Sequence, residues 1–143
     1  MKIAVHFSER VMYQWPLSYW IEFVRKLTEL GHEVYALSDE PNVRIDSRNP
    51  ALHDRTQLSD EDSRQVLREC DVFIGAALKY HDMAVAEGIR AIALQGSSFK
   101  GEGARSTAQC AGCLDKMQGK TDCQYGDELC WNELTPNDVL AAL

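Results

Sequence analysis

Two apolar runs separated by a short connection limit the folds that are open to this chain. DVFIG, starting at Asp71, and AIALQG, starting at Ala91, have the length and composition of strands that are covered on both faces, as in parallel sheets. The segment AALKYHDMAVAEGIR between them is long enough for one helix, which a connection between parallel strands requires. The stretch from Asp71 to Gly96 therefore predicts a β–α–β unit.

The segments that precede this unit have the same alternation of strand and helix. KIAVHF, from Lys2 to Phe7, predicts a first strand, and EVYAL, from Glu33 to Leu37, predicts a second one. Between them, apolar residues recur at spacings of three and four, which predicts an amphipathic helix that Gly31 ends. The apolar stripe of this helix consists of Leu17, Trp20, Ile21, Val24, Leu27 and Leu30.

The pattern weakens between the second strand and the β–α–β unit. The segment from Ser38 to Gln57 is rich in proline, asparagine and charge, and it predicts mostly loop. Within it, Val43 to Ile45 is the one run that could supply a short third strand. Ser59 then begins a capping box, with an acid three residues on, which predicts a helix that continues to about Cys70.

Taken together, these elements predict an α/β fold. We expect a Rossmann-like, three-layer αβα domain with a mostly parallel sheet of about five strands and a cysteine-containing C-terminal tail. In this single domain, residues 1–96 would form the βα core and 97–134 a loop region that holds Gly, Ser and Cys. Residues 135–143 would form a C-terminal helix, because Thr135 and Pro136 are typical of a capped helix start.

Charge and composition narrow the classes of partner and the location. The chain has 143 residues and a net charge of −7, and a charge of this sign argues against binding to nucleic acid. No apolar run approaches the roughly 20 residues that a membrane-spanning helix needs. MKIAVHFSER, at the N-terminus, has the pattern of a first strand and not of a signal peptide. We therefore predict a cytoplasmic protein.

The residues with the most reactive side chains follow the strand DVFIG. Lys79, Tyr80, His81 and Asp82 lie in the turn where open α/β sheets bind their ligands. Lys79 could neutralise a phosphate, whereas for His81 a packed and a functional role are equally supported. Adjacent residues on a helix do not face each other, so His81 and Asp82 are not expected to form an acid–base pair.

A second group of candidate residues follows the first strand. Ser8, Glu9 and Arg10 form a polar turn, and the backbone N–H groups at the start of the next helix could bind an anion there. Neither G-x-G-x-x-G nor a P-loop occurs in the chain. This absence disfavours a dinucleotide or a nucleoside triphosphate bound in the standard way.

Four cysteines stand close together in the C-terminal part of the sequence. Cys110, Cys113, Cys123 and Cys130 have the spacing C-x2-C-x9-C-x6-C, and a Cys-x2-Cys pair is typical of structural zinc sites. A metal ion could supply folding energy in a segment that has few large apolar residues. Free thiols, or disulfides in an oxidising compartment, are the alternatives. Cys70 is interpreted as a core thiol.

The order of these segments resembles the C-terminal, nucleotide-sugar-binding half of heptosyltransferase-like enzymes, glycosyltransferase family 9. The helix start Gln14-Trp15-Pro16 is similar to the Lys-x-Trp-Pro region of that family. DVFIG, the turn after it and AVAEGIRAIALQGSS resemble the family's strand, donor-binding turn, helix and strand. The ending CAGC…C…CWNELTPNDV is similar to a cysteine-containing ending found in many members.

The resemblance implies half of a GT-B enzyme, whose second Rossmann-like domain binds an ADP- or similar nucleotide-activated sugar. It implies that Ser8 and Glu9 lie in the phosphate loop and that Gly96 and Ser97 lie beside the ligand. Tyr13 stands where the family usually has lysine.

The donor-binding turn of the family, Asp-Ser/Thr-Gly-x-x-His, is also changed in this chain. In an ungapped alignment Ala77, Lys79 and Asp82 replace its aspartate, glycine and histidine, and a shift by one recovers His81. The family's N-terminal domain, which carries the acceptor site, has no counterpart in these 143 residues.

Three functions are consistent with this sequence. The first is a small module that binds a nucleotide or nucleotide-sugar. The second is an active glycosyltransferase that is completed by a partner chain or by a homodimer. The third is a structural or interaction protein whose ligand site has decayed, with zinc stiffening its tail. A likeness of fold does not by itself decide among them.

Overall fold

One parallel sheet organises the part of the chain that the structure describes. The structure is a computed structural model, and it describes residues 1–6, 15–40, 48–76, 79–95, 103–105 and 134–143. The strands in these ranges are β1 (Lys2–His6), β2 (Glu33–Leu37), β3 (Leu52–Asp54), β4 (Val72–Ala76), β5 (Arg90–Gln95) and β6 (Gly103–Arg105). The helices in the same ranges are α1 (Leu17–Glu29), α2 (Asp60–Arg68), α3 (Lys79–Ala86) and α4 (Pro136–Ala142).

The strand order is β3-β2-β1-β4-β5-β6, and each neighbouring pair of these strands is parallel. The chain thus runs outward from β1 in one direction and, after β3, resumes on the other side of β1 with β4. This is the doubly wound, Rossmann-like order, so the predicted fold class is confirmed. The point where the order reverses lies between β1 and β4.

Alternation along the strands divides the apolar side chains between two cores. Ile3 and Val5 belong to the core that α1 and α4 cover, whereas Ala4 between them belongs to the core on the α2 and α3 side. In β4, Ile74 and Phe73 divide in the same way. Successive side chains of a strand point to opposite faces of the sheet. Helices cover both faces, so the domain has three layers, with the sheet between two layers of helices.

The helix ends follow from local side-chain chemistry. The Ser59 hydroxyl accepts a hydrogen bond from the backbone N–H of Asp62, as the sequence predicts. Thr135 and Asp138 form a reciprocal capping box at the start of α4, where Pro136 is the first helical residue. Gly31 has a φ of +89° directly after α1, a conformation that glycine adopts without steric cost.

Three expectations about local structure are corrected. The buried face of α1 consists of Trp20, Phe23, Val24 and Leu27, while the other predicted members of its stripe are exposed. The missed residue is Phe23, which packs with Trp20 and Trp15. The apolar spacing alone does not identify which part of a broad stripe faces the sheet.

The other two corrections concern short strands in segments that were predicted as loop. β3 lies at Leu52–Asp54, inside the range from Ser38 to Gln57, and residues 43–45 lie outside the described part of the chain. β6 lies inside the range 97–134 and pairs with β5, so the described residues add a short sixth strand at the edge of the predicted sheet of about five. Three-residue strands are specified by pairing with a neighbour, because three residues carry almost no periodic signal.

Hydrogen bonds link the C-terminal segment, residues 134–143, to Trp15, to α1 and to β5. The indole N–H of Trp15 donates to the main-chain carbonyl of Leu134 at 2.6 Å, and both residues are buried. On the surface, the Lys26 ammonium donates to the Asn137 side chain. The Arg90 guanidinium donates to the carbonyls of the last two residues. The segment is thus held by one buried hydrogen bond and by several exposed ones.

No helix in the described ranges is both long and apolar enough to cross a bilayer. The cytoplasmic location stays a prediction.

Replacing Trp15 by phenylalanine tests the buried link between α1 and the C-terminal segment. The variant keeps an aromatic ring but leaves the buried carbonyl of Leu134 without its donor, so the free energy of unfolding should fall by about 1–3 kcal/mol. Urea unfolding measures this change. The control Lys26→Met removes a partly exposed link between the same two elements and should cost less than about 1 kcal/mol. Equal losses in the two variants would contradict the assignment.

Candidate functional site

Four elements place polar side chains at the edge of the sheet where the parallel strands end. His6 is the last residue of β1, and Asp39 follows β2 by two residues. Asp60 begins α2, and Lys79 begins α3 after β4. We call His6, Asp39, Asp60, Lys79 and Tyr80 the carboxyl-edge cluster. It lies beside the reversal of strand order between β1 and β4, which is where ligands bind in open α/β sheets.

Lys79 is bonded to two carboxylates of the carboxyl-edge cluster. Its ammonium donates to the Asp39 side chain, and it donates to Oδ1 of Asp60 at 3.0 Å. The three side chains retain between 40% and 59% of their exposure, so water reaches the whole group. One positive charge therefore bridges two negative ones at the surface, and the three groups together carry a charge of −1.

The ionisation of this group agrees with its geometry. The hydrogen bond from Lys79 lowers the pKa of Asp39 below its ordinary value. Partial burial acts to lower the pKa of Lys79, but its hydrogen bonds to Asp39 and Asp60 outweigh that effect and raise the pKa. Asp39 and Lys79 are therefore both charged at neutral pH.

Tyr80 is buried and contacts both the exposed Lys79 and the buried His6. It is 1% exposed, its ring lies 4.7 Å from the ring of His6, and the Lys79 ammonium lies 5.1 Å from its ring centre. Burial raises the pKa of the Tyr80 phenol, and the charge of Asp39 adds to this effect. Tyr80 is therefore a neutral, packed support for the exposed charges.

The close contact between β1 and β4 explains a glycine in the second half of β4. A Cβ atom at Gly75 would lie 2.8 Å from Cζ of Phe73 and 3.0 Å from Cβ of His6. Both distances are shorter than ordinary packing allows, so a side chain at Gly75 would displace His6 or Phe73. Glycine at this position therefore leaves room for the Phe73 ring and for His6, which packs on Tyr80.

The remaining predicted residues of this turn, His81 and Asp82, differ in burial. His81 is buried and its ring lies edge-on to Phe73 at 6.3 Å. The Asp82 side chain is 85% exposed, and its Oδ1 lies 3.6 Å from Nδ1 of His81, beyond hydrogen-bonding distance. The packed interpretation of His81 fits this geometry, and the two side chains do not make an acid–base pair. A contact of either with a ligand stays a prediction.

The other predicted site residues lie outside the described part of the chain. These are Ser8, Glu9, Arg10, Tyr13, Gly96 and Ser97 for the ligand, and Cys110, Cys113, Cys123 and Cys130 for a metal. His6 and Gln95, from which the segments with Ser8 and Ser97 continue, are the last residues of parallel strands and lie at the carboxyl edge. Within the described ranges, no three His, Cys, Asp or Glu residues form a group that could hold a metal ion.

Cys70, the one cysteine in the described ranges, is buried and reduced. Burial raises its pKa to about 12, so at neutral pH it is a protonated thiol in the core, as predicted.

The sequence interpretation missed His6, Asp39 and Asp60 as members of the site. Each of them has a signal that could have identified it. His6 ends a predicted strand, Asp39 follows another by two residues, and Asp60 follows a predicted helix cap. Because the ends of parallel strands and the starts of the following helices meet at one edge, these residues belong near Lys79.

Comparison with known proteins finds a likeness of structure and none of sequence. No family model and no curated protein sequence matches the chain. The iron-containing dodecameric glycosyltransferase TibC from enterotoxigenic E. coli H10407 matches with a TM-score of 0.77 and 16% identity over 99% of this chain and 43% of TibC. TibC in complex with ADP-D-β-D-heptose gives a TM-score of 0.80.

Two further structures give the same picture. The E. coli heptosyltransferase WaaC with ADP matches with a TM-score of 0.73 and 14% identity, over 98% of this chain and 42% of WaaC. A glycosyl transferase of family 9 from Veillonella parvula DSM 2008 matches with a TM-score of 0.72 and 12% identity, over 99% of this chain and 44% of that protein. The resemblance to heptosyltransferases is therefore confirmed at the level of the fold. The chain spans less than half the length of these proteins.

Proposed function

We propose that this chain is a small Rossmann-like module that binds a nucleotide or a nucleotide-sugar at the carboxyl edge of its sheet. The observation that carries the proposal is the match of nearly the whole chain to part of proteins whose structures contain ADP or ADP-heptose. The module would correspond to the C-terminal, donor-binding half of a heptosyltransferase. We expect it to act in the cytoplasm.

The position and chemistry of the carboxyl-edge cluster support this proposal. The cluster stands at the reversal of strand order, and it holds a lysine that a phosphate could reach from solvent. His6 and Gln95 lie at the same edge, so the segments with Ser8 and with Gly96 continue from there. A phosphate would interact with Lys79 through a charge-assisted hydrogen bond.

An active glycosyltransferase is the second candidate function. It is favoured by the coverage, because the chain spans 43% of TibC, and the remainder could come from a partner chain or from a second copy of this chain. TibC itself is described as dodecameric. Transfer of a sugar to an acceptor by the isolated protein or by such an assembly would distinguish this function from binding alone.

A decayed ligand site is the third candidate function, and the ion pairs of Lys79 favour it. A lysine that is bonded to two carboxylates is less available to a phosphate than a free one. In that case the protein would have a structural or interaction role, and no nucleotide would stabilise it.

A panel of ADP, UDP, GDP and their sugar derivatives tests nucleotide binding by thermal shift and calorimetry. We expect the nucleotides of one of the three bases to raise the melting temperature of the protein. A ligand that binds only the folded state stabilises that state. Lys79→Ala should weaken binding of that nucleotide by about 1–3 kcal/mol because a charge-assisted hydrogen bond is lost. The exposed residue Arg25, on α1, gives a matched control, and Arg25→Ala should bind as the wild type does.

The outcomes separate the three candidates. No response to any nucleotide would exclude the binding module and the active enzyme and leave the structural role. Binding that Lys79→Ala does not change would remove Lys79 from the site while keeping the module.

The four C-terminal cysteines are proposed as a structural zinc site. Four thiolates suit a tetrahedral zinc ion and also suit iron, and TibC is described as iron-containing. Elemental analysis for both metals should therefore find about one ion per chain, and a chelator should lower the melting temperature.

Cysteine variants make the metal prediction specific. Cys110→Ser combined with Cys113→Ser should abolish metal binding, whereas Cys70→Ala, which alters a buried thiol of the core, should keep the metal. A metal-free wild-type protein whose melting temperature does not change with chelator would rule out the site.

A further inference from the structure

We propose that Asp39 and Asp60 limit the affinity of the site for phosphate-bearing ligands, because they compete with the phosphates for the Lys79 ammonium. This inference rests on the proposed nucleotide binding and extends it to the charge of the ligand. Lys79 would then exchange a carboxylate partner for the ligand, and the carboxylates would weaken the binding of pyrophosphate and ADP without changing that of a ligand that has no phosphate.

The bonding of Lys79 is the first observation behind this inference. Its ammonium contacts both Asp39 and Asp60, which belong to two different connections of the sheet. An ammonium has three hydrogen-bond donors, so two carboxylates leave it one donor for a third anion. A phosphate that accepts more than one hydrogen bond from Lys79 must therefore take the place of a carboxylate.

The exposure of the three side chains makes such an exchange feasible. Between 40% and 59% of each side chain remains accessible, and ion pairs with this exposure contribute little to stability because water and salt screen them. A buried pair would instead resist exchange, since breaking it would leave an unpaired charge in the interior. The group can therefore open without unfolding its surroundings.

The charge around Lys79 opposes an anionic ligand. Asp39 and Asp60 outweigh its single positive charge, and Asp60 is followed in the first turn of α2 by Glu61 and Asp62. A pyrophosphate offers several acceptor oxygens to the ammonium, but the carboxylates compete for that ammonium and repel the ligand. A neutral nucleoside neither binds the ammonium as an anion nor meets this repulsion, so the carboxylates act on phosphate-bearing ligands.

The first test is the affinity of Asp60→Asn for inorganic pyrophosphate and for ADP, measured by calorimetry at 0.15 M salt. Removing one competing carboxylate should tighten the binding of both probes roughly two- to fivefold, the range that corresponds to one exposed ion pair. The variant should fold, because Ser59 still caps α2 and asparagine is nearly isosteric with aspartate. Adenosine, which has no phosphate, should bind both proteins with equal affinity.

Asp62→Asn is the matched control. It removes the same charge from the same helical turn without touching the ion pairs of Lys79, and it should change the affinity by less than about 1.5-fold. When Lys79 is also replaced by Met, Asp60→Asn should bind ADP and pyrophosphate no more tightly than Asp62→Asn does. Without Lys79, the loss of the Asp60 carboxylate frees no ammonium for the ligand.

The results distinguish failure of this inference from failure of nucleotide binding. If ADP binds but Asp60→Asn and Asp62→Asn behave alike, the inference is overturned and the binding module remains. If neither pyrophosphate nor any of ADP, UDP and GDP binds the wild type or Asp60→Asn, both are overturned. If Asp60→Asn still tightens binding in the Lys79→Met background, the inference is also overturned. The tighter binding would then come from the removal of one negative charge near the site and not from Lys79.

Discussion

The parallel pairing of β1 with β4 is the contact on which the rest of the structure depends. It joins the two halves of the sheet, and the strand order reverses across it. Both strands are buried on both faces, so their side chains contribute to the two apolar cores at once. Near the end of this pair, the Phe73 ring and the Cβ atom of His6 fill the space that a side chain at Gly75 would need. His6 in turn packs on the ring of Tyr80.

The arrangement of the carboxyl-edge cluster depends on the pairing of β1 with β4. Tyr80 packs on His6 in the interior, and Lys79, the residue before it, extends from the start of α3 toward Asp39 and Asp60. The buried half of the cluster consists of the packed rings of His6 and Tyr80, while its exposed half consists of charges that water screens. Packed residues beneath exposed ion pairs suit a site that binds an anion reversibly, because the packed residues need not move when the ion pairs rearrange.

Much of the fold could be predicted because it depends on local and repetitive signals. The apolar runs of β1, β2, β4 and β5, and the capping residue Ser59, each specify their element within a few residues of sequence. β3 and β6 could not be predicted, since each has three residues and owes its conformation to a neighbouring strand. The buried face of α1 required knowledge of the aromatic packing around Trp15.

The turn that begins at Lys79 was predicted as a candidate site, and the structure places next to Lys79 two residues that were not predicted. The rule that ligands bind at the ends of parallel strands identifies the turn that begins at Lys79. The partners of Lys79 are distant in sequence, because Asp39 precedes it by 40 positions and Asp60 by 19. An ion pair across such separations has no periodic or motif signal. Only the strand order brings the three residues together.

Nuclear magnetic resonance of the ¹⁵N-labelled protein, titrated with ADP, UDP and GDP, tests most directly whether this edge binds a nucleotide. If a nucleotide binds at the carboxyl edge, one of these ligands should produce saturable shifts of the amides of Asp39, Asp60, Gly75 and Lys79. The amides of Gly31 and Gly88, which end α1 and α3 at the opposite edge of the sheet, should stay unchanged. Shifts centred on that opposite edge, or no shift with any of the three nucleotides, would contradict binding at the carboxyl edge.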